Sequence, residues 1–312
     1  MLNCDIRELT EDVIRNAIGS QKVDIIVGGP PCQSYSTVGK RRLDERANLF
    51  LEYKRILEIL RPKAFVFENV IGILSMDKGR LFRRIQSVFE ELGYTLKYKV
   101  LDAVNFGVPQ HRERVILVGI KGENYFVYPE ETHGNNIPGK LPWVTYGDAI
   151  SDLPAIKSGQ TNNNYTTDPI NDFQLFVRKN GSTVATEHSA PKNGKHLIKI
   201  METLEEGQSK DELPEEIRPK SGYGNTYAKL WWDKPSTTIT RNFACPSSSR
   251  CIHPRDSRAM SVREGARLQS FPDDDIFYGS DGMKRLEIGN AVPPLLSIAI
   301  AKQMLIAMNK SK

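Results

Sequence analysis

The sequence predicts an α/β fold: a doubly wound, mostly parallel sheet with a small irregular domain attached. Three observations point there. Residues 23–27, interrupted only by Asp24, and residues 64–67 are short apolar runs, the pattern of buried strands. Between them Leu49, Phe50, Tyr53, Ile56, Leu57 and Leu60 recur at helical spacing, and after them Leu81, Phe82, Ile85, Val88, Phe89 and Leu92 do the same. Strand, helix, strand, helix is the order that builds a parallel sheet with helices on its faces.

The chain has 312 residues, room for one large domain or a large and a small one. With 39% hydrophobic and 26% charged residues it reads as a globular protein, with no run approaching a membrane span and no basic, apolar leader. The net charge of +5 permits a nucleic-acid partner without implying one. The cysteines are Cys4, Cys32, Cys245 and Cys251. Cys245, Cys251 and His253 match no common zinc spacing, so no metal is expected. Without a disulfide framework, the cytoplasm is the expected location.

Taken in order, residues 14–18 form an amphipathic piece, followed by the first strand. That strand stops at Gly28-Gly29, where the backbone can turn without a Cβ, and Pro30-Pro31 leads to Cys32. A basic polar loop with Lys40-Arg41-Arg42 precedes the first helix, which Pro62 ends. The second strand runs into Glu68-Asn69-Val70. Gly93 caps the next helix, and residues 95–101 and 114–120 are two further strands. Residues 122–230 are rich in Asn, Gly, Pro, Lys and Glu with weak periodicity, which predicts loops and short strands. Order returns near residue 236. Ser261 caps a helix that ends before Phe271-Pro272. Residues 289–294 form a turn into a terminal helix that is apolar almost all round and so needs cover. The expected division is 1–121, 122–235 and 236–312.

Cys32 at the end of a buried strand is either a small buried hydrophobe or a working thiol. Glu68 ends the neighbouring strand, and Arg112 and Arg114 lie at the start of another. Singly, each of these is an ordinary surface charge. Together on one rim, a thiol, an acid and guanidinium groups suit covalent catalysis on an electron-poor ring.

Five stretches in order, Gly28-Gly-Pro-Pro-Cys-Gln33, Glu68-Asn69-Val70, Gln110-His-Arg-Glu-Arg114, Arg263-Glu-Gly-Ala-Arg-Leu-Gln-Ser-Phe-Pro272 and Gly289-Asn-Ala-Val-Pro-Pro294, closely resemble the DNA cytosine-5 methyltransferases. The likeness runs over nearly the whole chain. It implies a Rossmann-like fold that uses S-adenosylmethionine, double-stranded DNA as partner, and the setting of a restriction–modification system. It implies that Cys32 attacks carbon 6 of a flipped cytosine, that Glu68 bonds the ring, and that Arg114 with Arg112 holds the carboxylate and the pyrimidine carbonyl. Asp5, Ile6, Pro30, Leu49, Asn290 and Val292 would contact the cofactor. Gln33, Ser34, Lys40, Arg41 and Arg42 would contact DNA, and residues 34–46 would close over the flipped base. Residues 122–235 would be the target recognition domain, with Arg178, Lys179, Lys192 and Lys195 meeting phosphates.

One departure from the family stands out. Its opening Phe-x-Gly-x-Gly-Gly loop and the acidic residue after the next strand have no counterpart here. The expectation is therefore a truncated or N-terminally incomplete enzyme, or a split one completed by a separate N-terminal polypeptide, with the apolar face of residues 295–305 left uncovered. The competing reading is a catalytically inactive DNA-binding or regulatory relative that has lost cofactor binding, against which stand Cys32, Glu68 and Arg114. A relative acting on transfer RNA ranks last, since its expected signature after the recognition domain is missing.

Overall fold

The computed structural model describes residues 2, 4–31, 49–178 and 181–310. The chain divides into two compact units. The first comprises Met1–Leu101, Glu113–Pro129 and Ile300–Lys312, and the second Asp102–Arg112 and Glu130–Ala299.

In the first unit, helix α1 (Glu11–Ile18) starts at Thr10, whose side chain accepts from the Val13 N–H. Strand β1 (Ile25–Gly28), helix α2 (Leu49–Leu60), strand β2 (Ala64–Val70), helix α3 (Arg80–Glu90), and strands β3 (Tyr94–Asp102) and β4 (Glu113–Lys121) follow. The four strands form one sheet in the order β1-β2-β4-β3. The tyrosine of α2, Tyr53, fastens the first two: its hydroxyl donates to the Ile26 and Val66 carbonyls at 3.2 and 3.0 Å. Its ring meets Phe65, Phe67 and Phe89 edge-on in the core under the sheet. Such aromatic pairs add about 1 kcal/mol each beyond the area they bury.

The sheet is mixed rather than parallel throughout. Strands β1 and β2 are parallel, as the helix between them requires, but β2 and β4 are antiparallel. Strand β4 follows β3 through the short connection 103–112, which holds a single 3-10 turn. A parallel continuation needs a crossover of a dozen residues or more, usually an α-helix. Among the described residues β1 is an edge strand, and its Val27 is 72% exposed.

The second unit holds two-stranded sheets, β5 (His133–Gly134) with β6 (Leu141–Pro142) and β7 (Ala228–Lys229) with β8 (Arg250–Ile252). Its helices are α4 (Tyr146–Ile150), α5 (Asp172–Val177), α6 (Lys195–Thr203), α7 (Val262–Leu268) and α8 (Asp281–Asn290). Residues 192–194 are an accessible loop that leads into α6, with Gly194 as its N-cap. Gly289 and Asn290 are the last residues of α8, and the turn before the terminal helix shrinks to 291–293.

Helix α7 carries a capping box between Ser261 and Glu264, and every one of its residues is buried. Burying so many charges costs several kcal/mol per ion unless each is paired and hydrogen-bonded. Here each is. Arg258 forms a fork on Glu264 at 2.7 and 2.8 Å, Arg267 bonds Asp152 and Asp273, and Arg263 donates to the Thr186 and Pro272 carbonyls. The partners come from residues 152–186 and 258–275, which explains why the unit's boundaries differ from those expected. Residues 102–112 and 236–299 belong with the irregular region because their polar side chains are satisfied there.

The terminal helix α9 (Pro294–Lys310) buries Leu296, Ile300, Met304 and Ala307 along one stripe, while Ile298, Leu305 and Ile306 are exposed. By length and composition the stretch Asp281–Lys310 passes for a membrane span, contrary to the expectation of no such run. It is broken at residues 291–293 into α8 and α9, and α8 carries charges at Asp281, Lys284, Arg285 and Glu287.

Candidate active site

The site is built where β1 and β2 end side by side. Register pairs Gly28 with Phe67, so the turn after β1 falls beside Glu68. Neither Gly28 nor Gly29 has a positive φ. Glycine is needed at position 29 for space instead, because a Cβ there would lie 2.6 Å from Oε2 of Glu68. Asn69, almost fully buried, donates from Nδ2 to the Pro30 carbonyl at 2.8 Å, and its Oδ1 accepts from the Val70 N–H. The turn leading to Cys32 is thus tied to the strand bearing Glu68. Sequence reasoning alone gives Asn69 no such task; its position between Glu68 and the strand end is the only signal that could have found it.

Arg114 completes the cluster. Register opposes Val70 to Arg114 and Glu68 to Ile116. Glu68 and Arg114 therefore share a face as diagonal cross-strand neighbours, a spacing that long side chains bridge. Arg114 Nε stands 2.7 Å from Glu68 Oε1, with the side chains 11% and 14% exposed. Burial pushes the Arg114 guanidinium below its ordinary value and Glu68 draws it back; it stays cationic. Charge-assisted bonds of this kind are the strong ones.

Arg112 requires a correction. The expectation has it share the Glu68 carboxylate, yet its Nη1 and Nη2 donate to the Ile239, Gly289 and Ala291 carbonyls at 2.9 Å each, and it is 1% exposed. It sits one residue before β4 begins, in the connection that belongs to the second unit. These contacts make it a clamp on the segment carrying Asn290 and Val292. Gln110 works in the same way, bonding the Leu268 carbonyl, the Gln269 side chain and the Ile239 N–H. Arg178 is corrected too. Its guanidinium bonds Asp152 and the Thr167 carbonyl and lies over the Tyr165 ring at 3.7 Å, so it is occupied inside the protein and not offered to phosphate. Lys192 and Lys195 are not buried.

Cys32, Gln33, Ser34, Lys40, Arg41, Arg42 and Lys179 lie outside the described residues. Of the expected cofactor contacts, Pro30 and Leu49 sit at the end of β1 and the start of α2, both accessible in part. Ile6 is partly exposed, and its carbonyl accepts from Arg55 at 2.8 Å. Asp5 caps a short turn and is gripped by Arg7 through two side-chain bonds, at 2.9 and 2.8 Å, which holds its carboxyl well below the usual carboxylate range. Asn290 is exposed and Val292 partly so. Among the described residues no group of three or more His, Cys, Asp or Glu is arranged to hold a metal ion. His253 serves the buried network instead: its Nδ1 accepts from the Arg255 and Asp256 N–H groups.

The α/β sheet, with the Glu68–Arg114 pair beside a strand-end turn, fits the Rossmann-like frame of the S-adenosylmethionine-dependent methyltransferases. Known proteins agree. A solved structure described as a putative DNA modification methyltransferase encoded within an E. coli prophage superposes with a TM-score of 0.76 at 22% identity, covering 98% of this chain and 85% of that one, which speaks for the fold. The Type II methyltransferase M1.HphI of Haemophilus parahaemolyticus is 34% identical over 309 residues, 98% of this chain and 74% of that protein. The Type II methyltransferase M.AgeI of Thalassovita gelatinovora is 33% identical over 379 residues, 98% and 87% of the two. The family model for C-5 cytosine-specific DNA methylases matches residues 2–305. The chain belongs to the C-5 cytosine-specific DNA methylase family, and its enzyme class is DNA cytosine-5 methyltransferase.

Proposed function

We propose that this chain methylates carbon 5 of a cytosine flipped out of a specific duplex DNA sequence, as the modification enzyme of a type II restriction–modification system. The observation that carries the reading is the Glu68–Arg114 pair packed against the Gly29-Pro30 turn that leads to Cys32. The relatives' description as type II methyltransferases supports the setting.

The roles follow from the chemistry. Base extrusion costs a few kcal/mol of stacking and pairing and exposes the ring to the rim. Glu68 in its acid form donates to N3 and accepts from the exocyclic amine, and transfer of its proton to N3 neutralises the charge that builds on the ring as the Cys32 thiolate adds to carbon 6. Arg114 aims the Glu68 carboxyl group, and its remaining donors suit the pyrimidine carbonyl. A free thiol has a pKa of about 8.5, so Cys32 gains from a nearby cation. Bound S-adenosylmethionine supplies the methyl group that carbon 5 accepts. Loss of the carbon 5 proton to water, return of the N3 proton to Glu68 and expulsion of the Cys32 thiolate restore the enzyme. Residues 34–46 would close over the flipped base, with Gln33, Ser34 and Lys40 to Arg42 against DNA.

The residues present fit the cofactor in part. Ile6, Pro30 and Leu49 offer partly exposed apolar surface suited to a flat purine. Asn290 at the end of α8 and Val292 just after it stay expected cofactor contacts. Asp5 fits only if its carboxylate is shared with or released by Arg7. A separate N-terminal polypeptide remains part of the proposal, and the exposed edge at Val27 is the observation on its side. Calorimetry tests this directly: micromolar S-adenosylmethionine binding by the chain alone removes the need for a second polypeptide. The cytoplasm is the proposed location, where DNA and the cofactor are both at hand.

The decisive experiment mixes the chain with labelled S-adenosylmethionine and duplex DNA, then repeats it with duplex containing 5-fluorocytosine. The expected outcome is methyl transfer that vanishes in Cys32→Ser, and a covalent adduct mapping to Cys32. DNA binding with neither transfer nor adduct would favour a non-catalytic DNA-binding role.

A further inference from the structure

A pocket of about 320 Å³ opens in the second unit between the segment 241–245 and helix α8. Two guanidinium groups line it, those of Arg241 and Arg285, together with Asn242, Cys245 and Gly282. No carboxylate is in the lining, and among the described residues neither arginine has an ion-pair partner. This contrasts with Arg258 and Arg267 of the same unit, each paired with an acid. Two like charges that share a pocket without a counterion repel each other, and an anion placed between them relieves the cost.

The pocket walls are held in place by packing. Gly289 of α8 lies so close to the main chain of Thr240 and Arg241 that a Cβ there would collide with both. Phe243 is buried against Gly265 of α7, which anchors the turn between Arg241 and Cys245. The Cys245 N–H donates to the Asn242 carbonyl at 2.8 Å, and the Ser249 hydroxyl donates to the same carbonyl at 3.0 Å. The Cys245 sulfur contacts the Ser247 and Ser248 hydroxyls at 3.3 and 3.5 Å. Partial burial alone would raise this thiol, but hydrogen bonds from Ser247 and Ser248, with a smaller contribution from the Arg285 charge, bring it below its ordinary value.

We infer that this pocket grips a phosphodiester of the DNA backbone between Arg241 and Arg285, positioning the duplex without reading its sequence. The inference rests on DNA being the substrate, as proposed above. Planar guanidinium forks match phosphate oxygens in pairs, and such contacts set affinity and register while leaving base discrimination to groove contacts. The pocket has room for one phosphate and no aromatic platform for a base.

The test uses the full chain, without S-adenosylmethionine, and duplex DNA of two unrelated sequences. Binding is followed by fluorescence anisotropy over a range of salt concentrations. Arg241→Gln and Arg285→Gln should each weaken binding to both duplexes alike and lower the slope of log K against log salt by about one. Arg285→Lys, which keeps the charge, should recover the slope, and circular dichroism melts should match wild type. Cys245 gives an independent readout, because it is exposed in the pocket. Duplex DNA should slow its alkylation by iodoacetamide in wild type but not in Arg285→Gln, as read by peptide mapping. An unchanged salt slope in both glutamine variants overturns the inference. So does protection of Cys245 by millimolar inorganic phosphate as strong as that by DNA, which would mark a small-anion site. A wild-type chain that binds no DNA at all would instead sink the proposed function.

Discussion

Arg114 Nε lies 2.7 Å from Glu68 Oε1 because strand β4 runs antiparallel to β2. In a parallel pair, the start of one strand lies at the opposite end from the finish of its neighbour. The reversal brings the first residues of β4 to the rim where β2 ends, and the pleat puts Glu68 and Arg114 on one face.

Arg114→Lys keeps a charge beside Glu68 but loses the planar fork. We expect kcat to fall about 10- to 100-fold, as for other misaligned electrostatic groups, with little change in melting temperature. Arg114→Ala leaves the nearly buried Glu68 carboxylate without this partner and should also destabilise the fold by about 3 kcal/mol. Steady-state methyl transfer and urea unfolding measure the two effects separately.

Gly29→Ala tests the close approach at the turn. The added methyl must displace the Glu68 carboxylate or the turn itself. A misplacement of about 1 Å costs roughly 100-fold in rate, while strain at one exposed turn costs about 1 kcal/mol of stability. Activity should therefore collapse in a protein that still melts within a few degrees of wild type. Full activity in Gly29→Ala would show that the Glu68 position is not critical.

Arg112→Met should behave in the opposite way, as a stability variant. It strands three main-chain carbonyls, those of Ile239, Gly289 and Ala291. At about 1–3 kcal/mol for each unsatisfied group, and with some recovered by water, a loss of about 3–5 kcal/mol is expected in urea unfolding. Arg112→Lys should recover only part of it, since an ammonium cannot span all three acceptors.

Acid should loosen the second unit through His253. Burial pushes its imidazole down to about 4 from an ordinary 6.5, and the Arg258 charge opposes the pull of Glu264 and Asp256. Two N–H groups aimed at Nδ1 also require that nitrogen unprotonated. Between pH 6.5 and 4 the unfolded chain then binds the extra proton, so stability falls as pH falls through that window. Each tenfold difference in proton affinity between the folded and unfolded chain is worth about 1.4 kcal/mol, so the loss reaches a few kcal/mol. His188, pushed down by burial as well, adds in the same direction. A His253→Gln variant should show a flatter dependence of urea midpoint on pH across this window; an identical slope would remove His253 as the cause.

Much of this architecture is legible from residue pattern. The α2 and α3 helices, the four strands and the Ser261 cap fall within a residue or two of their expected places, because apolar periodicity and capping are local properties. The motifs around Glu68 and Arg114 are legible as well, since the chemistry demands those residue types. The buried network of Arg258, Glu264, Arg267, Asp152 and Asp273 is not. Its bonded partners lie up to 115 residues apart, and nothing local marks an arginine as buried. Arg178 is hidden for the same reason: a basic residue in a polar stretch looks solvated until its acid partner is known.

The sequence by itself determined the family, the strand–helix order and the set of chemical groups available, because those depend on residue identity and short-range spacing. Only the tertiary structure decided which arginine of Gln110-His-Arg-Glu-Arg114 meets Glu68. Arg112 and Arg114 have the same parity and the same charge, so no local rule separates them. The start of β4 at Glu113 and its antiparallel direction do. They leave Arg112 to clamp three carbonyls and send Arg114 to the Glu68 carboxylate, because pairing between strands is set by contacts that no short window of sequence contains.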